Sequence, residues 1–185
     1  MKDKIALIGS GNPFFKDEGI GLYAVKYLKE NYDFVPGVTI FDGGILGFKL
    51  MTLLQEFEQV IILNTSSDDA VYAGEITIKN AQEFIESSPI KKTANEVEIA
   101  QMLQICSLTD KMADTTIVSI TPEDILSVEV GLSACIKEAL PFFVDAVLDR
   151  LNDLGVKSQL NRNDFCIDKI LHTFSNPSIE HSRGF

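Results

Sequence analysis

Short apolar strands alternating with amphipathic helices predict an α/β protein, a three-layer αβα sandwich around a mostly parallel, twisted sheet. Three observations carry this. The runs "KIALIG" (4–9), "QVIILN" (59–64) and "TTIVSIT" (115–121) are short, apolar and rich in β-branched residues, the composition of strands buried on both faces. Helical periodicity follows the first run and precedes the last. Glycine, asparagine and aspartate gather where the runs end, which marks the turns of such a fold.

After "KIALIG", a helix is expected from Ile20 to Asn31, because Ile20, Ala24, Tyr27 and Leu28 recur at the 3.6-residue period. "VTIF" (38–41) forms the second strand and closes on "DGG". "ILGFKLMTLL" (45–54) is the second helix and "QVIILN" the third strand. A loop through Gly74 leads to "EITIK" (75–79), whose alternation suits a strand, then to a short helix over "NAQEFIES". A longer helix covers residues 96–108, and "TTIVSIT" follows as the last convincing strand. "SACIKEALPFFVDAVLDRLNDL" (133–154) is a long amphipathic helix, and Pro141 inside it predicts a kink. The pattern weakens beyond Gly155. One domain over 1–155 is therefore expected, with 156–185 as a partly ordered appendix whose one apolar segment is "FCIDKILHTF".

A chain of 185 residues is large enough to build such a core without disulfides or a structural metal. No apolar run approaches the roughly 18 residues of a membrane span. The start enters a strand directly, without a signal-peptide pattern, so a cytoplasmic protein away from membranes is expected. Cys106, Cys135 and Cys166 lie far apart without CxxC spacing. They predict free thiols, the first two buried. Net charge is −11, from 27 acids against 16 bases, a field that repels phosphate backbones and argues against nucleic acid as a partner.

The loop "GSGNPFFKDEGIG" (9–21) poses the functional question. A dinucleotide fingerprint needs G-x-G-x-x-G between strand and helix. Gly9 and Gly11 fit, but Phe14 holds the third position, Pro13 has no N–H, and two acids stand where a pyrophosphate would sit. What the loop offers instead is Asp17-Glu18 at the carboxyl edge of the sheet, where open α/β sheets place ligands. As local chemistry, Asp17 caps the following helix and Glu18 complements its dipole, which leaves one acid of the pair free for a site. The other strands deliver Asp42 and Asn64 to the same edge, with Asp68 or Asp69 beyond, and the loop before the fourth helix brings Thr93 and Asn95. Asp42 is equally well explained as a turn residue before two glycines.

In these motifs the sequence resembles the hydrogenase maturation proteases, peptidase family M52, which trim the large subunit of nickel–iron hydrogenases. The shared features are Gly9-Ser10-Gly11-Asn12, Asp17-Glu18-Gly19-Ile20-Gly21, "FDGGILGFKLM", Gly131-Leu132-Ser133 and Ala139-Leu140-Pro141, in order over residues 4–154. The resemblance implies a phosphorylase/hydrolase-like fold and a nickel ion, presented by the substrate, held by an acid, an aspartate and a histidine. These positions fall on Glu18, Asn64 and Asn95, so two of the three ligands are asparagine here. Neutral amides are weak donors to a divalent ion, and losing imidazole removes the nitrogen that nickel favours. Weak or absent nickel binding by the isolated protein is expected. The only histidines, His172 and His181, lie in the appendix.

The resemblance thus implies a metal-guided endopeptidase that removes the C-terminal extension of a nickel–iron hydrogenase large-subunit precursor, with Glu18 and Asp42 catalytic and Glu18, Asn64 and Asn95 at the metal. The alternative is an inactive relative that binds or chaperones a hydrogenase subunit. No Ser-His-Asp set, HExxH or nucleophile with a paired base selects a hydrolytic mechanism.

Overall fold

The computed structural model describes residues 5–44, 46–66, 72–87, 93–109, 111–161 and 165–176. Strands β1 (Ile5–Ser10), β3 (Thr39–Gly44), β4 (Gln59–Thr65), β5 (Ile76–Asn80) and β6 (Asp114–Ile120) form one sheet in the order β3-β1-β4-β6-β5. The pairings β1–β3, β1–β4 and β4–β6 are parallel, while β5 runs antiparallel to β6 at one edge. The reversal follows from length: the residues 66–75 between β4 and β5 are too few for the helical crossover a parallel neighbour would need, so β5 returns antiparallel at the edge. Strands β2 (Tyr32–Val35) and β7 (Lys157–Leu160), which the sequence pattern does not announce, form a separate antiparallel pair.

Alternation within the strands creates two cores. Leu7, Ile61 and Leu63 face helices α1 (Ile20–Asn31), α5 (Ala134–Asp153) and α6 (Ile167–Ser175). Ala6, Ile8, Val60 and Ile62 face α2 (Phe48–Glu56), α3 (Ala81–Glu86) and α4 (Ala94–Ser107). The three-layer expectation is met, and helix boundaries shift by up to three residues at the start of α2. Helix α5 runs through Pro141 as one element. Helix α6 buries Ile170 and Leu171 in the first core, and Asn31 ties its lead-in by donating to the Phe165 carbonyl and accepting the Phe165 N–H. Cys106 is buried as expected, whereas Cys135 is only half-buried, with Sγ 3.4 Å from the Ala73 carbonyl. Among the described residues, no helix is long and apolar enough to cross a membrane.

Candidate functional site

All the parallel strands end at one edge, and the glycine loop crosses it. Its glycines are required by backbone approach. A Cβ on Gly21 would lie 2.2 Å from the Ser10 carbonyl oxygen and 2.3 Å from that of Leu63, and one on Gly9 would lie 2.4 Å from the Gly21 carbonyl oxygen. These contacts press the start of α1 onto β1 and β4. Lys16 adopts a positive φ of 42°, and its strained backbone is held by an N–H donated to the Glu129 carbonyl at 3.0 Å. Its ammonium bridges Asp124 at 3.2 Å and Glu129 at 3.0 Å.

Residues Lys16–Gly19 form a single 3₁₀ turn that presents the acid pair. Asp17 does not cap α1: that helix begins after Gly19 with no side-chain cap. The Asp17 carboxylate, fully buried, instead accepts backbone N–H groups from Ser133 at 2.6 Å, Asp124 at 2.8 Å and Glu123 at 3.1 Å. It locks the segment between β6 and α5 against the turn. Sequence reasoning missed this because the partners lie more than one hundred positions away.

Glu18 points the other way, into a buried polar cluster. Asn95 Nδ2 donates to Glu18 Oε1 at 2.7 Å, and the Thr93 hydroxyl also bonds the Glu18 carboxyl. Thr93 caps α4 by accepting the Glu96 N–H at 3.2 Å, which sets Asn95 in the first turn. Burial pushes the Glu18 pKa up, the bonds from Asn95 and Thr93 pull it down, and the nearby Glu96 pushes it up again. Asn64, at the end of β4, accepts a hydrogen bond from the Ser119 hydroxyl of β6 at 2.7 Å, between residues paired in register. The turn carrying Glu18 packs against β4, and α4 packs against β4 as well. Glu18, Asn64 and Asn95 thus come from three elements in mutual contact, all at most 7% exposed. Ser119 and Glu96 were not anticipated; a serine within an otherwise apolar strand end was the available signal.

Asp42 stands apart. It is exposed at the end of β3, in an open depression of about 440 Å³ lined by Phe41, Gly43, Leu46, Lys49, Thr52 and Leu53. Asp68, Asp69 and His181 lie outside the described residues. His172 is exposed on α6, so it does not fold back over the edge.

The donor set does not fit a nickel ion. Glu18 is the single carboxylate of the three positions, and its oxygen is engaged by Asn95. Asn64 commits its Oδ1 to Ser119, and Asn95 turns its nitrogen toward Glu18. Among the described residues no imidazole stands nearby and no three His, Cys, Asp or Glu side chains are grouped to hold a metal.

Comparison with known proteins follows the same lines. The family model described as "Hydrogenase maturation protease" matches residues 22–150. The hydrogenase 2 maturation protease of Escherichia coli (strain K12) is 25% identical over 156 residues, covering 84% of this chain and 94% of that protein. The hydrogenase expression/formation protein HupD of Rhizobium leguminosarum bv. viciae is 24% identical over 83% of this chain and 76% of its own length. The solved hydrogenase maturating endopeptidase HybD from E. coli superposes with a TM-score of 0.79 at 24% identity, covering 88% of this chain and 99% of that one. The [NiFe] hydrogenase maturation protease HybD from Thermococcus kodakarensis gives 0.65 at 22% identity, over 80% of this chain and 98% of that one. With its glycine loop, acid pair and strand-end cluster on this fold, the chain belongs to the hydrogenase maturation protease family.

Proposed function

We propose that this chain engages the precursor of a nickel–iron hydrogenase large subunit and holds its C-terminal region without reading nickel and without cutting. The observation that carries the reading is the pairing of Glu18 with Asn95 and of Asn64 with Ser119, which engages a Glu18 carboxylate oxygen and the Asn64 Oδ1 in protein hydrogen bonds. An ion at these positions would compete with both bonds for Glu18 and Asn64 and would find one carboxylate and two neutral amide oxygens, a weak set for nickel. The retained turn and the Asp17 lock keep the edge shaped for a partner segment.

The test is the intact mass of a hydrogenase large-subunit precursor, nickel-loaded and nickel-free, before and after incubation with this protein, alongside co-elution on a sizing column. Holding predicts an unchanged mass and a complex that forms equally with and without nickel. No complex with either precursor would remove the proposed partner.

One observation favours the other reading, the metal-guided endopeptidase with Glu18 and Asp42 catalytic and Glu18, Asn64 and Asn95 at the metal. Asp42 is exposed in an open depression beside Lys49, where a substrate segment can reach it. A mass drop equal to a C-terminal peptide, seen only with nickel-loaded precursor, would establish that reading and overturn holding.

A further inference from the structure

Two neighbouring loops at the carboxyl edge present large apolar side chains to water. Phe14 is 60% exposed, Leu126 85% and Val128 76%. Apolar residues scattered singly over a surface need no account, but these are brought together. Phe15 and Glu129 form a parallel bridge, and the Lys16 N–H donates to the Glu129 carbonyl at 3.0 Å. In a parallel pair the residues that precede the bridge run side by side on its other face, which sets Phe14 beside Val128.

The patch is built into the fold. Asp124 accepts the N–H groups of Leu126 and Ser127, each at 3.0 Å, and the Ser127 hydroxyl at 2.6 Å, which closes the turn that carries Leu126. On the other loop, Asn12 Oδ1 accepts the Phe14 N–H at 3.1 Å, and the Tyr23 hydroxyl ties the Pro13 carbonyl to α1. Polar groups around the patch thus fix a shape in which its apolar side chains stay exposed. A surface ordered in advance loses little conformational entropy when a partner covers it.

Charge names the occupant. Glu123, Asp124 and Glu129 border the patch, and the Lys16 ammonium already bridges Asp124 and Glu129. A second copy docked patch to patch would set this acidic border against itself, and an anionic lipid surface would meet the same repulsion. A peptide segment with both apolar and basic side chains satisfies the patch and the border together.

We propose that Phe14, Leu126 and Val128 form a docking surface for an apolar, basic stretch of the segment that this chain holds. The inference rests on the holding function above and names the chemistry of the held segment. The surface adjoins the Lys16–Gly19 turn, so a segment docked there lies next to the element that carries Glu18.

The experiment follows the fluorescence anisotropy of a labelled peptide of alternating leucine and lysine, titrated with the full chain, beside a matched leucine–glutamate peptide. Saturable binding of the lysine peptide alone is expected, weakened about tenfold or more in the double variant Leu126→Ser, Val128→Ser. Phe14→Ser serves if the double variant loses the wild-type urea midpoint. Leu108→Ser, exposed at the far end of α4, should bind as the wild-type protein does. No binding of the lysine peptide, equal binding of the glutamate peptide, or unchanged binding in the patch variants would overturn the surface. So would a dimer of the chain in sedimentation that Val128→Ser dissolves, since the patch would then belong to a second copy. If the patch variants lose the lysine peptide while the hydrogenase precursor forms no complex with the wild-type chain, the holding function fails and the surface stands. If the precursor is held equally by the wild-type chain and the patch variants, the reverse is true.

Discussion

Asn95 Nδ2 lies 2.7 Å from Glu18 Oε1, a bond between residues 77 positions apart. It joins the first turn of α4 to the turn before α1. By the family resemblance these two positions would face each other across a nickel ion; in this chain they hold each other. Restoring the ligand types is a direct probe. The double variant Asn64→Asp, Asn95→His should retain Ni²⁺ in equilibrium dialysis where the wild-type protein retains none, and adding Glu18→Gln should abolish the gain. A double variant that stays nickel-free would show that the three positions do not converge on one ion.

Glu18 also predicts a pH dependence. Burial raises its pKa above the ordinary 4.5, so between the two values the folded state binds the proton that the unfolded chain has released. Its contribution to stability is full below the unfolded value and is lost as pH rises through the folded one. Glu18→Gln stays neutral and keeps an oxygen for Asn95. The Tm of the variant relative to wild type should therefore climb as pH rises above 4.5, the start of the window. A flat difference across that range would mean that Glu18 is solvated.

Asp17 is expected to dominate the stability of the loop edge. Removing its carboxylate by Asp17→Ala strands three backbone N–H groups, that of Ser133 in a buried setting and those of Glu123 and Asp124 in a part-buried one. A loss of about 3 kcal/mol or more follows, read as a lower urea midpoint at unchanged slope. A loss under about 1 kcal/mol would place those amides in contact with water.

Gly21→Ala tests the seat of α1. Its methyl would meet the carbonyl oxygens of Ser10 and Leu63, which are backbone and cannot swing aside. Overpacking of this kind costs about 3 kcal/mol or more, because helix and sheet must separate. Wild-type stability in urea denaturation would contradict the approach of α1 to β1 and β4.

Tyr23 links α6 to the glycine loop. Its ring meets Phe174 edge to face at 5.0 Å, and its hydroxyl donates to the Pro13 carbonyl at 2.9 Å. Burial raises its pKa to about 12. An alkaline absorbance titration should show a late tyrosinate phase that Tyr23→Phe removes. Because the folded pKa is the higher one, the stability tied to the neutral phenol is lost as pH climbs through it. If the substitution leaves the late phase intact, the slow-titrating phenol is another one.

The layered architecture was legible because its signal is local. Apolar runs such as "QVIILN" declare buried strands, and the 3.6-residue period of Ile20, Ala24 and Leu28 declares the face of α1. The strands β2 and β7 were not legible, since "YDFV" and "KSQL" are short and mostly exposed, and they exist through pairing with each other. The fate of Asp17 was hidden in the same way: locally it reads as a helix cap, and only its distant amide partners make it a lock.

By itself, then, the sequence determined the α/β class, the loops and strand ends that supply Glu18, Asp42, Asn64 and Asn95, and the presence of amides where the family's metal ligands fall. The tertiary structure decided which of these meet. It brought Asn95 to Glu18 and Ser119 to Asn64, and left Asp42 in a separate depression. The reason is physical: residue types and periodicity set which faces are buried. Hydrogen bonds between residues 55 and 77 positions apart depend on sheet register and helix seating, which exist only once the chain has closed.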